Sequence, residues 1–140
     1  MNALPCPGPL LPLRLHPGQD LRRALEAAVA AQGLQAGYLL QGMGSLRDAQ
    51  LRLANADVVM PLPGTCEILT LAGSVGADHS HLHASLADEQ GRVFGGHLPY
   101  GSMVHTTAEV LLALLPGWTF SREPDTTTGY AELHITRLGG

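Results

Sequence analysis

The sequence predicts an α+β fold, sandwich-like in its layering, with a mainly antiparallel sheet packed against one or two helices. Three observations lead there. A stretch near the N-terminus has helical periodicity with start and stop signals. After Gly33 the chain switches to short apolar or alternating runs punctuated by Gly and Pro. Finally, 45% of the 140 residues are hydrophobic and 14% charged, enough for one domain with a genuine core and no disulfide staples.

Taken in order, residues 1–12 carry Pro5, Pro7, Pro9 and Pro12 and read as a flexible Pro-rich arm, with the domain proper over 13–138. A short strand is expected from Leu13 to His16, then a turn at Pro17-Gly18. Asp20 is a helix N-cap, Leu21, Leu25, Ala28 and Val29 recur at helical spacing, and Gly33 is the stop, which predicts a helix over 20–32. Arg22, Arg23 and Glu26 form its solvated face. Strands follow at Gly37–Gln41 and Leu51–Leu53, separated by a turn at Gly42-Met43-Gly44-Ser45. Further strands are expected at Cys66–Leu71 after Pro63-Gly64, and at His81–Ala87, Val93–Leu98, Val104–Leu112, Trp118–Ser121 and Tyr130–Thr136. The Ala/Leu content of Ala108–Leu115 also permits a helix. Residues 122–129 read as an exposed loop.

Composition restricts the function. The formal charge is −4, and all eight basic residues are arginines, scattered from Arg14 to Arg137. No basic stripe or tail of the kind that grips nucleic acid is visible. Cys6 and Cys66 lack metal-type spacing and read as reduced thiols. There is no signal-like N-terminus and no 18-residue apolar run, so a cytoplasmic location without membrane contact is expected. A Walker loop, a nucleophile elbow and a dinucleotide fingerprint are all missing.

The chemistry concentrates in Asp78–Leu98. His81, Leu82, His83, Ala84, Ser85 and Leu86 alternate, so in a strand the leucines and the imidazoles face opposite sides. Glu89-Gln90-Gly91 suits a three-residue hairpin loop, with Gly91 in the left-handed position. Counting outward, Asp88 meets Arg92, Leu86 meets Phe94, Ala84 meets Gly96 and Leu82 meets Leu98. On the other face Ser85 meets Gly95 and His83 meets His97. Opposed Cβ atoms lie about 4.5–5.5 Å apart, and His81 is two residues along the same face. Three imidazoles thus converge, a donor set suited to a divalent metal, Zn2+ first and Ni2+, Cu2+ or Fe2+ as alternatives. A one-residue slip in register would scatter them. His79 is a candidate fourth ligand and His105 a candidate from a neighbouring strand, though a solvent-exposed His79 and a hydrogen-bonded structural His105 are the favoured readings. His16 and His134 look like strand-end residues without partners. Glu67 and Glu109 lie in apolar strands and are candidates either for hydrogen-bonded structural carboxylates or for orienting a ligand histidine.

These stretches resemble the PPC domain, a module of plant AT-hook nuclear proteins and of small stand-alone prokaryotic proteins. The matching segments are Leu15–Leu21, Gly42–Leu46, Cys66–Val75, His81–Asp88 and Gly91–Leu98, within a similarity covering roughly residues 13–136. The resemblance implies a homotrimer and, in some prokaryotic members, a metal held by the histidines that correspond to His81, His83 and His97. It also implies a DNA-binding or regulatory label, although this chain has no Arg-Gly-Arg-Pro AT-hook segment. Three functions are therefore open: a trimeric module for a metal or an unidentified small ligand, a DNA-associated protein, and a metal-dependent enzyme. The enzyme has no identified substrate and would need Glu67 or Glu109 as general base. The residues favour the binding module, while the resemblance, the one direct pointer to a role, keeps a DNA-binding or regulatory protein with a three-histidine metal site as the expected function.

Overall fold

The computed structural model describes residues 9–55 and 57–139. In that range the chain forms β1 (Leu10–Leu15), α1 (Leu21–Ala31), β2 (Gly37–Arg52), β3 (Val59–Val75), β4 (Ser80–Asp88), β5 (Val93–His97), β6 (Met103–Leu114), β7 (Trp118–Pro124) and β8 (Ala131–Arg137). Residues 1–8 of the expected arm, Cys6 included, lie outside the described residues, and residues 10–12 belong to β1.

The helix follows its sequence signals. The Asp20 carboxylate accepts from the Arg23 N–H at 3.1 Å, an N-cap contact, and its other oxygen accepts from the Gly101 N–H at 2.7 Å. Leu21, Leu25 and Val29, all fully buried, seat α1 against the inner face of the sheet. One expectation fails there: Glu26 is buried, not solvated.

Six strands form one sheet in the order β1-β6-β2-β3-β4-β5, antiparallel throughout. An extra pairing of Arg52 with His97 joins β2 to β5, so the sheet curls back on itself. The core is aliphatic: Leu39, Leu46, Leu51, Leu71, Leu82, Leu86, Leu98 and Leu112 are buried on the inner face. β7 and β8 form a separate hairpin. It is tied to the body by a bridge between Gln35 and Thr119 and by an edge-on contact of Phe120 with Tyr38, ring centroids 5.9 Å apart.

Two expected turns are instead strand. Gly42–Ser45 lies inside β2, and Pro63-Gly64 lies inside β3. Both strands are long because each is paired over most of its length, and irregularities in register at Arg47/Ala49 and Ile68/Thr70 absorb the bending. Ala108–Leu115 is not helical: β6 runs to Leu114 between β1 and β2, where ladder pairing overrides Ala/Leu propensity. Residues 122–124 of the expected loop extend β7, leaving a tighter turn around Asp125, whose carboxylate accepts from the Thr127 and Thr128 N–H groups.

Candidate metal centre

The hairpin of β4 and β5 has the register read from its turn. Gly91 takes φ 77°, its N–H donates to the Asp88 carbonyl at 2.9 Å, and Asp88 N–H donates to the Arg92 carbonyl at 2.9 Å. Leu86 pairs with Phe94, Ser85 with Gly95, Ala84 with Gly96 and His83 with His97. Leu82, Leu86 and Leu98 are fully buried, which puts His81 and His83 on the opposite side.

One glycine on the neighbouring strand makes this seating feasible. Gly73, φ 153°, pairs with Leu82, and a Cβ there would collide with the His81 carbonyl oxygen. A side chain at position 73 would therefore push β4 away where it carries the imidazoles.

His81, His83 and His97 form a tight triangle. Ring centroids are 4.9 Å apart for His81–His83, 5.0 Å for His81–His97 and 5.9 Å for His83–His97. One nitrogen from each ring lies within 4.8 Å of the others. A tetrahedral ion with Zn–N of about 2.0–2.1 Å holds its nitrogens about 3.3 Å apart, a closure of about 1.5 Å that small side-chain rotations supply. The donor set fits a divalent cation on a further ground. His97 Nδ1 is buried with no hydrogen-bond partner among the described residues, a cost that ligation of that ring's site would offset. Burial, then the charges of His81 and Arg52, push the His97 imidazole down to about 4. Burial, followed by His83, likewise lowers His81. Both rings are thereby held neutral at physiological pH, the form that ligates.

The other sequence candidates lie elsewhere. The expectation that Glu67 or Glu109 orients a ligand histidine is not met: both are exposed, Glu67 opposite Ala87 and Glu109 opposite Arg14 and Met43. His105 contacts Arg47, with Nδ1 3.1 Å from the guanidinium. His79 places Nδ1 2.6 Å from Asp78 and does not join the triangle. His134 does have a partner, Glu123 at 3.6 Å. Cys66 is buried, which pushes its thiol above the ordinary value.

What surrounds the triangle instead is built from distant segments. Ser80, immediately before His81, donates from Oγ to Glu26 Oε1 at 2.6 Å and accepts from Arg22 Nε at 2.8 Å. Arg22 also donates to the Ser80 carbonyl, and Tyr100 donates to Glu26 at 2.8 Å with its ring 4.1 Å below the Arg22 guanidinium. A cavity of about 800 Å³ opens beside His81 and His97, lined among others by Arg22, Arg52, Asp57, Arg122, Tyr130 and Glu132. These residues have no periodicity linking them to the histidines. Only the curl of β2 onto β5 and the docking of β7–β8 assemble them.

A single helix on a curled antiparallel sheet, with three imidazoles clustered on one hairpin face, defines a small α+β domain with a preformed donor set. The chain belongs to the Plants and Prokaryotes Conserved (PCC) domain family, whose model matches residues 7–116. It is 49% identical over 131 residues to the bifunctional protein GlmU of a Synechococcus strain, covering 94% of this chain and 21% of that one. The chain thus spans about a fifth of the length of this curated relative. Among solved structures, a hypothetical protein from Salmonella enterica superposes with a TM-score of 0.86 at 39% identity, covering 92% of this chain and 94% of that one. A metal-containing protein from Archaeoglobus fulgidus does so with a TM-score of 0.77 at 29% identity, covering 91% and 94%. A protein from Bacteroides thetaiotaomicron named for proposed DNA binding shares the fold, with a TM-score of 0.78 at 19% identity over 89% and 91%.

Proposed function

We propose that this chain is a divalent-metal-binding module in which His81, His83 and His97 are the protein ligands and Zn2+ is the preferred ion. The observation that carries the reading is the convergence of three ring nitrogens within 4.8 Å on one hairpin face. The likeness to a metal-containing archaeal protein at 29% identity supports it. When bound, the metal would supply a Lewis-acidic centre beside the cavity that His81 and His97 line. His97 and His81 enter as neutral donors, and the Arg22–Glu26–Ser80 contacts hold the strand at His81. Equilibrium dialysis of tag-free protein against Zn2+ tests the reading. Loss of one ligand should weaken binding by at least about a hundredfold, since orienting partners alone are worth 10–100-fold. Unchanged Zn2+ binding by a His83→Ala/His97→Ala double variant would overturn it.

The module is proposed to work as a homotrimer. Tyr38, Leu40, Met43 and Leu69 leave apolar side chains exposed on β2 and β3, surface that neighbouring copies would cover. Light scattering at micromolar concentration should give three times the 14.7 kDa chain mass; a monomer mass would contradict this. DNA binding is the weaker reading. The formal charge is −4, and Arg22 and Arg92 are engaged with Glu26 and Asp88.

A further inference from the structure

We infer that the cavity beside the three histidines binds a small molecule through an oxyanion group, a carboxylate or a phosphate, held between the Arg52 and Arg122 guanidiniums and the open position of the metal. The inference rests on the metal reading above and adds a ligand class to it. The cavity, about 800 Å³, has the size of a small-molecule site. Its walls come from five separate parts of the fold: α1, the end of β2, the residues between β2 and β3, the hairpin of β4 and β5, and the hairpin of β7 and β8. Arg52 is delivered by the single pairing of β2 with β5 opposite His97, and Arg122 by β7 near His81.

Arg52 and Arg122 both line the cavity with His81 and His97, and neither is spent there. Among the described residues, Arg52 and Arg122 form no ion pair within 4.0 Å and no side-chain hydrogen bond. Arg22, on the same wall, is committed to Glu26 and Ser80, so its charge is offset there. Planar forks of N–H donors in the same cavity as the histidines are matched to an oxyanion, whose oxygens a guanidinium and a bound metal would share. Two carboxylates, Asp57 and Glu132, also line the cavity, and among the described residues neither pairs with an arginine. They would repel a bare polyanion and accept from hydroxyl or amino groups. The ligand is therefore an oxyanion on a polar, donor-bearing body.

The test uses the Co2+-loaded full chain, titrated with lactate in one arm and glycerol 3-phosphate in the other, a carboxylate and a phosphate that each carry hydroxyl donors. Calorimetry and the visible Co2+ band are the two readouts. Wild type should bind at least one of them, and the arm with the tighter affinity separates carboxylate from phosphate. Arg52→Met and Arg122→Met should each weaken binding about tenfold, the worth of one charged hydrogen bond, while Co2+ affinity in the absence of anion stays the same. Normal Co2+ uptake with anion binding absent, or equal in the Arg52→Met/Arg122→Met double variant, would overturn this inference alone. No Co2+ uptake by wild type would overturn the metal reading and this one with it. Thermal melts of both variants confirm that the fold is retained.

Discussion

Replacing Arg22 by Met should destabilise the protein and loosen the histidine cluster together. The Arg22 and Glu26 side chains are only 13% and 10% exposed, and Arg22 Nε lies 3.5 Å from Glu26 Oε1. Methionine keeps much of the aliphatic volume and removes the charge, leaving the Glu26 carboxylate with two neutral donors, Ser80 and Tyr100. Breaking one side of a buried ion pair costs about 3–5 kcal/mol. The residual exposure and the two remaining hydrogen bonds reduce that to about 2–3 kcal/mol, or a fall in Tm of about 6–12 °C for a domain of this size. A urea-denaturation cycle with Arg22→Met, Glu26→Gln and the double variant measures the pair itself. The double variant should be less destabilised than the sum of the singles by at least about 1.5 kcal/mol. Because Arg22 also holds both the hydroxyl and the carbonyl of Ser80, metal affinity should fall with it. Additive effects in the cycle, or a Tm within 2 °C of wild type, would refute the reasoning.

Gly73→Ala should cost about 2–4 kcal/mol by chemical denaturation, combining overpacking with an unfavourable backbone region at the close approach of the His81 carbonyl; a variant as stable as wild type would mean β4 shifts freely. The metal-free protein should lose stability on acidification. His97 and His81 titrate below their unfolded value, so their contribution is complete above about pH 6.5 and is lost as pH falls toward the His97 value of about 4. Denaturation midpoints at pH 7.5, 6 and 5 check the sign, and greater stability at pH 5 would contradict it. DNA affinity should be weak and fall steeply between 50 and 200 mM salt; tight, sequence-selective binding at physiological salt would revive the nucleic-acid reading.

The histidine cluster was legible because it depends on local rules. Gly91 sets the turn, the turn sets the register, and the apolar side of Leu82, Leu86 and Leu98 forbids the one-residue slip that would scatter His81, His83 and His97. The long strands were not legible, since Gly42–Ser45 and Pro63-Gly64 carry turn chemistry that only pairing with neighbouring strands overrides. Glu26 reads as a solvent-facing helix residue because nothing local announces Ser80 and Tyr100, which come 54 and 74 residues later. Glu67 and Glu109 drew notice as carboxylates in apolar runs, yet alternation in β3 and β6 sends both outward. Arg52, Arg122 and Glu132 reach the cavity through tertiary contacts alone.

X-ray absorption at the zinc edge, on tag-free protein loaded with one equivalent of Zn2+, tests the central claim most directly. Three imidazole nitrogens from His81, His83 and His97 should appear at about 2.0–2.1 Å with a fourth, oxygen ligand, and the signal should lose a histidine shell in His83→Ala. A spectrum without imidazole scattering, or one unchanged by that substitution, would show that this hairpin face is not a metal centre.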